Sequence, residues 1–203
     1  VRGRGLVARA PGAPADAAEV DDDVLARRAA MGDRGAFAAL VERHGPALHR
    51  YARRLLHDDG ATEDCVQEAF LAAWRGLPSF RGEAAVRTWL FTLARHQAFA
   101  EQRRAAGNRT RPQLRAVDPA DLVDAVDPRA DPAGVSEEGQ LLADLDAALR
   151  LLPERQRSAW ILREVEELSY AEVGAVLDVT PTVVRGLLER ARASLVTTLA
   201  AWR

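Results

Sequence analysis

The chain contains no lysine: all 28 of its basic residues are arginine. Ile161 and Asn108 are each alone of their kind. This skew is the mark of GC-rich coding, so the preference for arginine over lysine carries no functional message. Cys65 is the only cysteine, which excludes an intramolecular disulfide or a cysteine-built zinc site and leaves it as a small buried apolar residue. Aromatics make up only 5% and long β-branched runs are missing. No apolar run approaches the ~18 residues of a membrane span, and the first segment has no continuous apolar stretch of the ~7–15 residues a secretion signal needs. No membrane insertion and a cytoplasmic location are expected. Glycine-rich phosphate loops, nucleophile elbows, paired catalytic carboxylates and metal-ligand spacings are all missing, so no catalytic residue, metal or cofactor is expected. His96 has no companion at ligand spacing and reads as a polar surface residue.

What is present is Ala, Leu and Val, which dominate a hydrophobic share of 48% and favour helices with real cores. The net charge of −2 conceals an uneven distribution. Residues 24–104 carry thirteen arginines against nine acids, while the segments on either side are acidic on balance. Residues 1–21 lack helical period and read as a disordered leader. Helical spacing predicts helices near 24–31, 34–56, 62–77 and 84–104, broken at Gly32-Asp33, Asp58-Asp59-Gly60 and Gly76–Gly82. Residues 106–137 bring three Asp-Pro steps and read as a flexible acidic linker, since each proline keeps its predecessor out of helix. Helical period resumes at Gln140, with breaks at Leu152-Pro153, Glu167-Leu168 and Asp178. The expected fold is all-α: two small helical domains, 22–105 and 138–203, joined by that linker.

The second domain holds the clearest local signal. Ser169 precedes Glu172 by three residues, the spacing of a capping box. Asp178 follows the short helix at a tight turn, and Thr180 with Pro181 supplies an N-cap and first position for the next helix. Short helix, turn, helix is the helix-turn-helix plan, although an ordinary helical hairpin has the same outline. On a wheel, Val184, Leu188, Ala191 and Leu195 face the core. The opposite face presents Thr182, Gly186, Glu189 and Ala193, flanked by Arg185 and Arg190, with Leu187 also where such a helix meets bases. Arg185 is suited to guanine or phosphate and Thr182 to bases or backbone, while Gly186 allows close approach and Glu189 repels phosphate. The bland alternative is a solvated face with scattered charges.

In the first domain, the run A-T-E-D-C-V-Q-E-A-F-L-A-A-W-R-G-L-P-S-F sets Cys65, Val66, Ala69, Phe70, Ala72, Ala73 and Leu77 on one side of a helix. Asp64, Gln67, Glu68 and Arg75 face away with Leu71 among them. That leucine is either an ordinary exposed apolar residue or part of a protein interface. Further on, Trp89, Leu90, Leu93 and Phe99 supply core, with Phe91 more core than base-stacker. Arg87, Arg95, His96, Arg103 and Arg104 supply polar surface. Arginines beside aromatics suit single-stranded nucleic acid.

The order of these constellations is more specific than any one. E-D-C-V-Q-E-A-F (63–70), then W-L-F-T-L-A-R-H (89–96) ending in R-R (103–104), resembles region 2 of extracytoplasmic-function sigma factors. L-P-E-R-Q-R (152–157) and L-R-E-V-E-E-L-S-Y-A-E-V (162–173), through R-A-R (190–192), resemble their region 4. The resemblance implies a non-enzymatic, dissociable subunit of bacterial RNA polymerase. It assigns Asp64, Gln67, Glu68 and Leu71 to the polymerase β′ clamp. The −10 element, with one base leaving the stack of a melted strand, falls to Arg81, Arg87, Arg95, His96, Arg103 and Arg104. Duplex −35 DNA falls to Thr180, Thr182, Arg185, Gly186, Glu189 and Arg190. The polymerase β flap and an anti-sigma factor are further expected partners. Many members carry Asn where His96 stands, Asp at Ala100, an arginine at Leu187 and a histidine at Glu189. Those departures leave the promoter sequence open. Two readings from other classes compete: a free-standing helix-turn-helix regulator, which needs a dimer interface, and a helical interaction protein that no longer binds DNA.

Overall fold

The computed structural model describes residues 20–109 and 137–202. Residues 1–19 of the expected leader (1–21) and 110–136 of the expected linker (106–137) lie outside the described residues. Asp21 caps a helix, and residues 106–109 and 137 are helical, so the leader and linker are shorter than expected at those ends. Within them all regular structure is helical. Aspartates start the first three helices. The Asp21 side chain accepts from the N–H of Asp23 (2.7 Å) to open α1, Asp22–Ala30. Asp33 accepts from Ala36 (3.0 Å) to open α2, Arg34–Leu56, and Asp58 accepts from Ala61 (2.7 Å) to open α3, Asp59–Gly76. Each satisfies an orphan donor at the positive end of a helix. The Asp58-Asp59-Gly60 break expected from sequence is therefore the cap and first turn of α3, which begins three residues before the expected Thr62. A 3-10 turn at Leu77–Ser79 leads to α4, Val86–Arg109.

The second unit comprises α5 (Glu137–Leu151), α6 (Glu154–Trp160), a π-helical turn (Ile161–Val165), α7 (Tyr170–Leu177) and α8 (Pro181–Ala201). Glu167 (φ 57°) and Asp178 (φ 55°) take the left-handed conformation at the two breaks expected near them.

Leu40, Leu48, Tyr51, Phe70, Leu90 and Phe91 are buried at the centre of the first unit. Tyr51 meets Phe91 edge to face at 5.4 Å between ring centroids. Phe91 is fully buried, as its core reading requires. Ala148, Leu149, Leu152, Ala191 and Leu195 form a smaller core that pins α5 to α8.

The two units do not stand apart. Ile161, Leu162, Leu168, Val173, Val176 and Leu177 of the second join the same apolar cluster as Tyr51, Leu90 and Phe91 of the first. α7 lies on α4, and α5 and α6 lie on α2. Polar contacts cross this seam. The Tyr51 hydroxyl is 2.5 Å from Ser158 Oγ, and burial pushes the tyrosine's pKa upward. Arg50 reaches the Glu166 carboxylate with both Nε (3.2 Å) and a terminal nitrogen (3.0 Å).

Candidate nucleic-acid interface

α3 presents the first candidate surface. Its inner side buries Thr62, Cys65, Ala69, Phe70 and Ala73. This forces Asp64, Gln67, Glu68, Leu71 and Arg75 outward, all exposed. Leu71, 39% exposed, sits in the polar strip as the periodicity indicated. Asp64, Gln67 and Glu68 form no side-chain hydrogen bond or ion pair with other described residues. Their hydrogen-bonding capacity is directed outward. An acidic and amide strip around one leucine can hold a basic, partly apolar partner helix.

The second surface surrounds the loop before α4. Phe80 and Trp89 stack with ring centroids 4.7 Å apart, and a cleft of about 540 Å³ opens beside them. Gly76 allows Trp89 to lie close, since a Cβ there would come within 3.1 Å of the indole. Arg81 and Glu83 stand at the cleft, Thr88 and Thr92 line α4's side, and Ala175 of α7 contributes from the second unit. The cleft has an aromatic wall, hydroxyl groups and a cation, the ingredients for holding a planar base.

The arginines of α4 are not all on the open surface expected of them. Arg81, His96, Arg103 and Arg104 are exposed, with Arg104 paired to Glu101. Arg95 is only 7% exposed. Its guanidinium stacks over Phe99 (4.5 Å), approaches the Val176 carbonyl (3.5 Å), and leaves Nε buried without a partner. Arg87 is half-buried and donates to the Glu166 backbone carbonyl (2.6 Å), with the Glu166 carboxylate at 3.7 Å. The surface reading of Arg95 is thus corrected, and that of Arg87 holds only in part. α7 and the turn before it cover the part of α4 that carries them.

The third surface is the helix-turn-helix. Ser169 and Glu172 cap reciprocally: Glu172 N–H donates to Ser169 Oγ (3.2 Å), and Ser169 N–H donates to Glu172 Oε2 (2.8 Å). Hydrogen bonding from Ser169, its side chain first and then its backbone N–H, holds the Glu172 carboxyl below its ordinary pKa. Asp178 makes the left-handed turn, and Thr180 accepts from Val183 N–H ahead of Pro181. Gly174 permits this turn: a Cβ there would lie 2.6 Å from the Val179 carbonyl oxygen. Along α8, Thr182, Arg185, Glu189 and Arg190 are exposed. Arg185 donates to Thr182 Oγ1 (3.3 Å), and the Arg190 side chain folds back over Gly186.

Leu187 does not share that face. It is 7% exposed and packs in the core with Val184, Leu188 and Ala191. The expectation that it meets bases fails because positions 184, 187, 188, 191 and 195 make one apolar arc of a helix.

Three residues escaped the reading of the sequence. Tyr170 lies under both Arg163 (5.0 Å) and Arg185 (5.9 Å), joining the start of α7 to α8. Glu166, 1% exposed, and its partner Arg50 hold the seam. The signal for Glu166 was slight: it stands four residues after Leu162, on the apolar line, within an acidic cluster that looks solvated.

Comparison with known proteins agrees with this arrangement. Sigma-70 region 2 matches residues 40–107 and sigma-70 region 4 matches residues 142–195. The ECF RNA polymerase sigma-E factor of Escherichia coli K12 is 32% identical over 87% of this chain and 93% of its own length. The structure of CnrH in complex with the cytosolic domain of CnrY superposes with a TM-score of 0.66 at 30% identity, covering 89% of this chain and 97% of that one. The sigma factor RpoE in complex with the anti-sigma factor NepR from Bartonella quintana gives 0.61 at 28% identity, covering 82% and 98%. The chain belongs to the extracytoplasmic-function sigma factors, with regions 2 and 4 of the sigma-70 family. It is a non-enzymatic subunit that directs promoter-specific initiation by RNA polymerase.

Proposed function

We propose that the outward strip of α3, Asp64, Gln67, Glu68 and Leu71, docks this sigma factor on the β′ clamp of core polymerase. The observation that carries the reading is that strip's lack of polar partners among the described residues, around an exposed leucine. Region 2, taken as 22–105, then receives the melted −10 strand. The cleft beside Phe80 and Trp89 accepts an unstacked base, with Arg81 at its rim. Arg87, Arg95, His96, Arg103 and Arg104 track the phosphates as α4 becomes accessible. Region 4, taken as 138–203, places α8 in the major groove of the −35 element. There Thr182, Arg185 and Arg190 make the productive contacts, Thr180 and Gly186 bring backbone close to the groove, and Glu189 weakens binding or accepts from cytosine. Region 4 also meets the β flap. The tether supplies effective concentration, so modest affinity at each element is enough.

An anti-sigma factor is an expected partner. Support comes from the two solved relatives, whose structures were determined with CnrY and with NepR.

Equilibrium binding of labelled chain to bacterial core polymerase tests the dock. Asp64→Ala, Gln67→Ala and Glu68→Ala together are expected to weaken binding by at least about a hundredfold, the loss of two or more interface hot spots. Unchanged affinity would remove the dock from α3. Arg185→Ala with Arg190→Ala is expected to leave polymerase binding intact while reducing output from promoters that depend on a −35 element.

A further inference from the structure

Of the residues proposed to hold the −10 strand, Arg95 is buried under region 4 and Arg87 is half-covered by it, whereas the α3 dock is open. At the centre of the covering contact is Glu166, the one buried carboxylate among the described residues. Both of its oxygens accept from Arg50, and its backbone carbonyl accepts from Arg87. We infer that free sigma factor masks its own −10 surface with region 4, and that the Glu166–Arg50–Arg87 cluster is the latch. This rests on the −10 assignment under Proposed function and adds its regulation.

The chemistry suits a contact made to be exchanged. The Glu166 carboxylate is fully desolvated while the Arg50 and Arg87 side chains stay half exposed. The Coulomb attraction is therefore offset by the lost hydration of the buried carboxylate, and the cluster has little net advantage over its solvated parts. The Arg87 guanidinium is engaged by the Glu166 backbone carbonyl at 2.6 Å and lies 3.7 Å from its carboxylate, so a phosphodiester that binds Arg87 competes with Glu166 for the same guanidinium. The seam also carries its own penalty. The described buried side-chain atoms without a partner are Arg95 Nε, Gln156 Oε1 and Arg157 Nε, all on α4 and α6. Of these residues, Arg95 and Arg157 reach across to the other region, at Val176 and His57. Unsatisfied buried donors disfavour the closed state relative to one in which water reaches them. Ala175 completes the picture by closing part of the base-sized cleft from the region 4 side.

The test uses the full chain with donor and acceptor dyes at Glu42→Cys and Thr197→Cys, both exposed, in a Cys65→Ala background. Arg50→Ala is the informative variant, because Arg50 is outside the proposed DNA-contacting set. It is expected to lower energy transfer and to raise affinity for fluorescein-labelled oligo(dT) by about tenfold, as the binding-competent fraction rises. Ordinary surface electrostatics gives the opposite sign, since removing an arginine weakens binding to a polyanion. Glu166→Gln is expected to act in the same direction, with circular dichroism checking that it stays folded. Unchanged energy transfer, or weaker oligo(dT) binding by Arg50→Ala, would overturn the latch. Failure of the wild-type chain to start transcripts with core polymerase would instead overturn the functional reading, so the two failures are distinguishable.

Discussion

Position 187 tests how a single side chain is used. The resemblance leads to the expectation of an arginine-like, base-facing role there, but the position holds a leucine 7% exposed in the region 4 core. Leu187→Ala is therefore expected to cost stability, about 2–5 kcal/mol as for other buried leucines, measured by denaturant unfolding. Its −35 sequence preference should stay the same among molecules that remain folded. His57 gives a second residue-scale expectation. It closes α2 in the left-handed conformation (φ 59°), and burial together with Arg150 and Arg157 pushes its pKa down to about 4. The unfolded chain takes up a proton near the ordinary 6.5 while the folded chain does not. Stability is thus fully present above pH 6.5, is lost as pH falls toward about 4, and changes no further below that through this group. His44 is shifted in the same direction, its burial outweighing the attraction of Asp22, and adds to the slope. His57→Asn, which tolerates the same backbone conformation, should flatten the pH dependence of unfolding. An unaltered slope would show that His57 is not responsible.

At the scale of elements, the helix-turn-helix depends on one missing side chain. Any Cβ at position 174 would come to 2.6 Å from the Val179 carbonyl oxygen, and backbone cannot yield as a flexible side chain does. Gly174→Ala is expected to open the angle between α7 and α8. It should lower the melting temperature more than Ser169→Ala, which removes only a cap worth about 0.5–2 kcal/mol. Equal melting temperatures would contradict the close-approach explanation. The capping box, the Asp178 turn, Thr180 and Pro181 were all legible in the sequence, because local hydrogen bonds among near neighbours decide them. The starts of α1 and α3 were read late, since Asp21 was placed in the leader and Asp58 was taken as a breaker when both act as caps. The π-helical turn at Ile161–Val165 had no local signal, because its residues also suit an ordinary α-helix.

For the whole molecule, the sequence order of motifs identified two sigma regions and their outward strips, but not their mutual packing. The seam joins residues 116 and 79 positions apart, and nothing in the periodicity distinguishes an arginine that reaches a buried partner from one in water. That is why Arg87 and Arg95 read as surface, and why Arg50 and Glu166 went unnoticed. Under the proposed dock and latch, two regions closed on each other with the α3 strip left open would let the molecule meet polymerase before it meets DNA. The most direct test is to map transcript starts after adding the chain to bacterial core polymerase on genomic DNA. The expected result is a set of new starts sharing −10 and −35 sequences, which disappear when Asp64, Gln67 and Glu68 are changed to Ala. The contradicting result is that no new starts appear, or that the same starts persist at equal strength with the altered strip.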